Sequence, residues 1–330
     1  MINRIAVALL IFSMGSHFAI GGEFLADRRF PPETLFAASA EGALLTVHGD
    51  ALELWSEAGK LLRSCELTDP RLQGTRSALA LNGDVALFAF LEPEAGSEES
   101  RKLVAVNVQD CRVVASFSLP GVVLGLRGGA SGWLAVTKEV GNNDYSYAMV
   151  DSEGHVLASF SVPEELQESV LARGFPSGPS SLVASGDRVL MVAKTRYELW
   201  FPAQKGRLAR KLPMLECLAV EGQWLSGEES EKELRRRIAH AGEETRRIIE
   251  DFLKKGGSHR GFMAAVRNVT AYRNWLAVLL RDLSVPGGCR LDVWDLAQEA
   301  PIAVSVLPEV PCPDRFFALV RDGVWAFSQD

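Results

Sequence analysis

The chain has 330 residues, 47% of them hydrophobic and 23% charged, with a formal net charge of −7. That balance supports a sizeable core and excludes bulk disorder. The acidic excess excludes a sequence-independent nucleic-acid binder, which needs a basic field to neutralise phosphates.

The first residues, MINRIAVALLIFSMGSHFAIGGEF, place one cation (Arg4) before an apolar run from Ile5 to Met14, then small residues with Ala19 and Gly21 spaced for cleavage. This is the order of a secretory signal. Residues 1–21 are therefore expected to be removed and the domain from 22 to 330 to work outside the cytoplasm, in a periplasm or the medium. No later segment approaches ~20 uninterrupted apolar residues, so no membrane span is expected in the mature chain.

From residue 30 onward, short β-type runs alternate with Gly, Asn, Asp and Ser turns, the pattern of consecutive antiparallel hairpins. In SLVASGDRVLMVAKTRYELWFPAQKGRLARKL (181–212) four runs, A to D, are separated by turns, and the same four recur in 76–120 and 125–163. The A-to-B hairpin is found seven times, with A runs starting near 35, 79, 124, 182, 218, 269 and 317. The mean step of about 47 residues is that of a four-stranded propeller blade and is longer than a solenoid coil. Strand C repeats one phrase: LELW at 52–55, YELW at 197–200 and LDVW at 291–294. The seven tryptophans fall in two registers of the repeat, with Trp55, Trp200 and Trp294 on strand C and Trp133, Trp224, Trp275 and Trp325 at the start of strand B. Each ring is expected to fill the wedge between adjacent blades.

LDVWDLAQEAPIAVSVL resembles the end of a WD40 blade, with Trp294 and Asp295 as the WD pair. LELWSEAGKLLRSCEL and YAMVDSEGHVLASFSV resemble the C-turn-D hairpins of quinoprotein-like propellers. The Gly-His dipeptide of WD40 blades and the Trp-docking signature of quinoprotein blades are absent, so the resemblance reaches the β-propeller superfamily and no family within it. The expected fold is all-β: a seven-bladed β-propeller, with six blades as the alternative, built of four-stranded antiparallel blades. An open ring would expose two sheet edges. The chain ends after strands A and B of repeat seven, and EFLADRRFPP resembles strand D, so the N-terminal strand is expected to complete the last blade.

Repeat five departs from the pattern, because ECLAVEGQWLSG is followed by EESEKELRRRIAHAGEETRRIIEDFLKKGG. Ser226 with Glu229 is a capping-box pattern, Gly256 and Gly257 supply a stop, and Leu234, Ile238, Ala241, Ile248 and Phe252 share one helical stripe. A helical insertion over 228–257 is expected. Its cations Arg235, Arg236, Arg237, Arg246 and Arg247 are the candidate contact surface for an acidic partner, the alternative being a lid over the channel mouth.

Catalytic patterns are missing. His48 and His155 have no partner in sequence, and neither GxSxG, GxxxxGK[ST] nor GxGxxG occurs. Asn82, Asp84, Asp187 and Asn274 could line an axial metal, but all sit at A-to-B turns, where Asn and Asp are favoured for backbone reasons. Asn268-Val269-Thr270 matches a glycosylation sequon. The five cysteines are odd in number and form no CxxC, so at least one thiol is expected to stay unpaired. Cys289 on strand C of repeat six and Cys312 in the connection that follows are expected to form a disulfide. No catalytic residue, cofactor or metal is assigned. The reading is an exported, monomeric, non-catalytic propeller binding a protein or another surface ligand through its loop faces and insert helix. Its alternative is a channel-centred enzyme, either a metal-dependent hydrolase or lactonase or a quinoprotein-like oxidoreductase.

Overall fold

The computed structural model describes residues 28–30, 34–39, 42–56, 59–91, 102–129, 131–139, 145–163, 180–185, 188–203, 208–229, 262–282, 288–307, 315–320 and 323–329, with isolated positions at 166 and between 231 and 254. A short strand β1 (Arg28–Phe30) precedes the first blade, which is β2 (Leu35–Ala38), β3 (Leu44–His48), β4 (Ala51–Trp55) and β5 (Leu61–Glu66). The second is β6 (Thr75–Asn82), β7 (Val85–Leu91), β8 (Lys102–Asn107) and β9 (Arg112–Ser118). The third is β10 (Val122–Gly128), β11 (Trp133–Lys138), β12 (Tyr145–Val150) and β13 (Val156–Phe160). The fourth is β14 (Ser180–Ser185), β15 (Arg188–Ala193), β16 (Glu198–Phe201) and β17 (Arg210–Lys211). A two-stranded ribbon follows, β18 (Gln223–Trp224) with β19 (Phe262–Met263). The fifth blade is β20 (Val266–Tyr272), β21 (Trp275–Asp282), β22 (Gly288–Asp295) and β23 (Ala300–Leu307), before the terminal β24 (Arg315–Val320) and β25 (Gly323–Gln329).

Five four-stranded blades overturn the expectation of seven and the alternative of six. Repeat five explains part of the difference. Its A-run pattern is not used as a strand: Glu216–Leu218 turns as a 3-10 helix, and the chain beyond becomes a strap on the fourth blade. Tyr197 N–H donates to the Val220 carbonyl at 2.7 Å and Gly222 N–H to that of Thr195 at 2.6 Å. Leu218 and Val220 fill the core between the fourth and fifth blades, and β14 packs directly beside β20. The helical element described end to end in this repeat is that single 3-10 turn; of the insertion expected over 228–257, residues 228, 229, 231, 232, 235, 246, 247, 250, 253 and 254 are described, and all are helical. The capping box does form, with Glu229 N–H donating to Ser226 Oγ at 3.2 Å and Ser226 N–H to Glu229 Oε2 at 2.8 Å. The five residues of the apolar stripe lie outside the described residues.

Repeat seven explains the rest. Strand β1 joins β25, so the two chain ends share a sheet, as expected. It lies parallel, with Arg28 opposite Phe327 and Phe30 opposite Gln329, and sits directly beside strand B instead of taking the strand D place. A strand arriving from the far end of the chain has no hairpin turn to impose antiparallel pairing.

Alternate residues of a strand face opposite sides of its sheet, and here both sides are covered. Phe88 and Val104 pack toward the first blade, while their neighbours Leu87 and Leu103 pack toward the third. This is why the central strands read as nearly continuous apolar runs, with about 1.5–3 kcal/mol from each fully buried large side chain. Trp55, Trp133, Trp200 and Trp294 are buried in these layers, as expected. Trp275 is half-buried, and Trp224 is 45% exposed, because its repeat supplies no full blade for a wedge. The sequon residues lie in the inner strand β20, where Asn268 Oδ1 accepts the Val269 N–H and Thr270 is buried, so this is no accessible loop.

At the outer edge one position recurs. The turn between strands C and D holds a residue with positive φ that meets strand D of the blade before it. Cys111 (φ 57) is disulfide-bonded to Cys65 of β5, 46 residues and one repeat away. Gly154 (φ 89) lies under the Phe117 ring of β9, and Glu299 (φ 53) accepts from Arg210 of β17 at 2.6 and 2.7 Å. Cys289 is also disulfide-bonded, and Cys312, expected to be its partner, lies outside the described residues. A Cβ on Gly154 would stand 2.5 Å from Phe117 Cδ2. Gly154→Ala is therefore expected to destabilise the chain by about 1–3 kcal/mol. Urea unfolding reads this as a lower midpoint at unchanged slope. An unchanged midpoint would show that this junction is not tightly packed.

Candidate functional site

The phrases LELW, YELW and LDVW share an acidic second position as well as the tryptophan at the fourth. Each places a carboxylate two residues before its tryptophan, on the same face of strand C. Glu53, Glu198 and Asp292 stand at matching positions of the repeat, a signal present in the sequence beside that of the tryptophans. In the first blade Trp55 Nε1 donates to Thr46 Oγ1 at 3.1 Å, and Thr46 lies 3.4 Å from Glu53 Oε2. In the fourth, Glu198 accepts from Trp200 Nε1 at 3.1 Å and Lys211 Nζ at 2.6 Å, and is ion-paired with Arg196 at 3.0 Å.

The most elaborate case spans the junction of the fourth and fifth blades. Trp294 Nε1 donates to the Tyr197 hydroxyl at 2.5 Å, and that hydroxyl is bonded to Asp292. Arg290 grips Asp292 with two bonds of 2.9 Å and donates to the Leu218 carbonyl at 2.5 Å. Asp292 is fully buried. Burial pushes its carboxyl up to about 6, although Arg290 and Tyr197 pull the other way. Burial likewise raises the Tyr197 hydroxyl well above its ordinary range. Such a network fixes the Trp294 ring and the strap, and it offers Asp292 no route to a substrate.

On the outside of the same junction, Glu299 pairs with Arg188 at 2.7 Å and with Arg210, and both guanidinium groups lie against the Phe201 ring, at 4.1 and 4.6 Å. The bonds from Arg210, then Arg188, hold the Glu299 carboxyl down to about 2.

The inner strands have a different character. Across β2, β6, β10, β14, β20 and β24 the charged residues are Arg76, Arg127, Arg267 and Arg315, and none is a carboxylate. Arg127 and Lys194 are half-buried, and burial first and the Arg127 charge second push the Lys194 ammonium down to about 8. The turn residues once considered as axial ligands are tied locally. Asn82 Nδ2 donates to the Gly132 carbonyl at 2.9 Å, Asp84 Oδ1 accepts from Gln109 Nε2 at 2.9 Å, and the Asn274 carbonyl accepts from Leu296 N–H at 2.7 Å. Asp187 lies outside the described residues. His48 is exposed, and His155 is an exposed turn residue whose Nδ1 is 3.1 Å from Asp151 Oδ2. Of the predicted contact cations, Arg235 is exposed and paired with Glu231 at 2.7 Å, Arg246 and Arg247 are exposed, and Arg236 and Arg237 lie outside the described residues.

Four-stranded meanders set side by side through their inner strands, with the two chain ends in one sheet, decide the architecture. The fold is a β-propeller. No family model matches the chain, and no curated protein matches it. Among solved structures, the propeller is similar to the β-propeller domain of Cps50 (Swd1) from Myceliophteria thermophila, at 10% identity over 88% of this chain and 91% of that one, with a TM-score of 0.45. It is similar to BamB from Moraxella catarrhalis at 12% identity over 89% and 71% of the two chains, TM-score 0.39. It also resembles hydrazine synthase of Kuenenia stuttgartiensis at 11% identity over 94% and 77%, TM-score 0.43. At such identities these likenesses concern the fold alone.

The two carboxylates of this propeller's fourth junction give opposite pH dependences. Asp292 titrates at about 6 against an ordinary 3.8, so the folded state holds its proton more tightly. The stability this adds is complete below the ordinary value and lost as pH rises through about 6. Glu299 titrates at about 2 against 4.5, so its contribution is complete above 4.5 and lost as pH falls toward 2. Asp292→Asn is expected to flatten the melting temperature between about pH 4 and 6 while keeping the acid limb, and Glu299→Gln to flatten the acid limb alone. Wild-type profiles in both variants would contradict these assignments.

Proposed function

We propose that this chain is an exported, non-catalytic propeller that binds a protein or another surface ligand through its loop faces. The observation that carries this reading is the placement of charge. Buried carboxylates sit on strand C, bonded within their own blade or junction, while the inner strands carry arginines. A channel-centred metal site needs oxygen ligands converging on the axis from several blades. The export half of the reading rests on residues 1–21, whose order is that of a secretory signal.

Loops on a rigid scaffold are where binding usually resides, and the segment 228–257 is the longest departure from the repeat. Within it Arg235, Arg246 and Arg247 are exposed, and together with Arg236 and Arg237 they form the contact set for an acidic partner. Cross-linking capture from the native extracytoplasmic fraction tests this with the wild type and an Arg235→Glu, Arg246→Glu, Arg247→Glu variant. The expected result is a partner held by the wild type, released by added salt and lost by the variant at unchanged melting temperature. Equal capture by both proteins, or none by either, would overturn the arginine assignment.

A further inference from the structure

The inner strands line the axis of the ring, with β10, β14 and β20 of the third, fourth and fifth blades side by side. Arg127 stands on β10, opposite Leu134 of β11. Leu134 packs into the core between the third and fourth blades, while Leu126, one residue earlier on β10, packs toward the second. Arg127 is therefore on the fourth-blade face of its strand, and it is half-buried there. Its Nη1 donates to the Leu126 carbonyl at 3.0 Å, and among the described residues no carboxylate pairs with it.

Lys194, also half-buried, follows β15 in the fourth blade. Its carbonyl accepts from Ala265 N–H at 2.9 Å and Val266 N–H at 3.3 Å, which seats it at the entry to β20, where Arg267 follows Val266. The Arg127 charge is felt at Lys194, whose ammonium, lowered by burial and by that charge to about 8, is still charged at pH 7. Thr195, the next residue, is 1% exposed, and its Oγ1 has no partner among the described residues. The nearest carboxylate along the chain, Glu198, is taken by Trp200, Lys211 and Arg196. Cations drawn out of water without a counter-charge cost free energy, and a like charge close by adds to the cost.

We infer that Arg127 and Lys194 form an anion site at the inner edge of the third and fourth blades, with Thr195 as a neutral donor, and that it takes a small oxyanion of the phosphate class. A guanidinium offers a planar fork of N–H donors, an ammonium a point charge and a hydroxyl one further hydrogen, a set that suits an ion with several oxygens. The site lies apart from the segment 228–257, so it goes beyond the loop-face reading and is tested without a partner.

Isothermal titration of the full chain with inorganic phosphate at pH 7, against chloride of matched ionic strength, tests it. The expected result is a dissociation constant below about 1 mM, raised at least about tenfold in Arg127→Gln and in Lys194→Gln. Without phosphate both variants are expected to melt no lower than the wild type, because each removes an uncompensated charge, and both should lose the rise that phosphate gives the wild type. Variants that melt lower without phosphate would show the two cations to be structural and overturn the inference. No binding to the wild type up to about 10 mM phosphate overturns it, as does binding left unchanged in both variants.

Discussion

The structure depends on a sheet whose two faces are both apolar. A blade with Phe88 and Val104 on one side and Leu87 and Leu103 on the other has no face to give to water. It has to be flanked on both sides, and its neighbours have the same requirement. Repetition around a ring satisfies every blade at once, and the same logic brings the last strands back to the first. Strand β1 pairs with β25 over three residues, and this pairing joins the two ends of the described chain.

Apolar layers alone set no register between neighbouring blades, and the outer rim supplies it. In the second, third and fifth blades the positive-φ residue of the C-to-D turn leans on strand D of the preceding blade, and these junctions solve the contact with three chemistries: a disulfide, a ring over a glycine, and a carboxylate between two arginines. A bond from Arg63 to the Gln109 carbonyl reinforces the junction of the first and second blades, and the Phe201 ring that of the fourth and fifth. The acid of each strand C phrase does comparable work inside, fixing the indole that the wedge needs. Among the ion pairs, Arg76 with Asp50 and Glu299 with Arg188 and Arg210 join neighbouring blades.

Much of this was legible in sequence. The hairpin period, the strand C phrase and the burial of Trp55, Trp133, Trp200 and Trp294 followed from alternation and spacing. The number of blades did not, because LAVEGQWLSG has the alternation of a hairpin, while its backbone bonds go to Thr195 and Tyr197 of the neighbouring blade. Periodicity reports which residues want burial and is silent about which partner supplies it. The place of β1 failed for a related reason: resemblance to strand D says nothing of direction when no turn connects the partners. The pairing of Cys65 with Cys111 was hidden because the two lie one repeat apart, on a strand and on the next blade's turn, and only the ring brings those together. The site was legible in its letters, Glu53, Glu198 and Asp292, yet their role depends on the donors that Thr46, Lys211, Arg196 and Tyr197 bring from other strands and connections.

The central claim is that the ring is held junction by junction, so a fault at one rim contact should stay local. Amide hydrogen exchange on an Arg210→Ala variant tests this most directly. Faster exchange confined to β16, β17 and the turn between β22 and β23, with the first three blades unchanged, is the predicted result. A uniform rise over all blades, or no change beside Glu299, would contradict it.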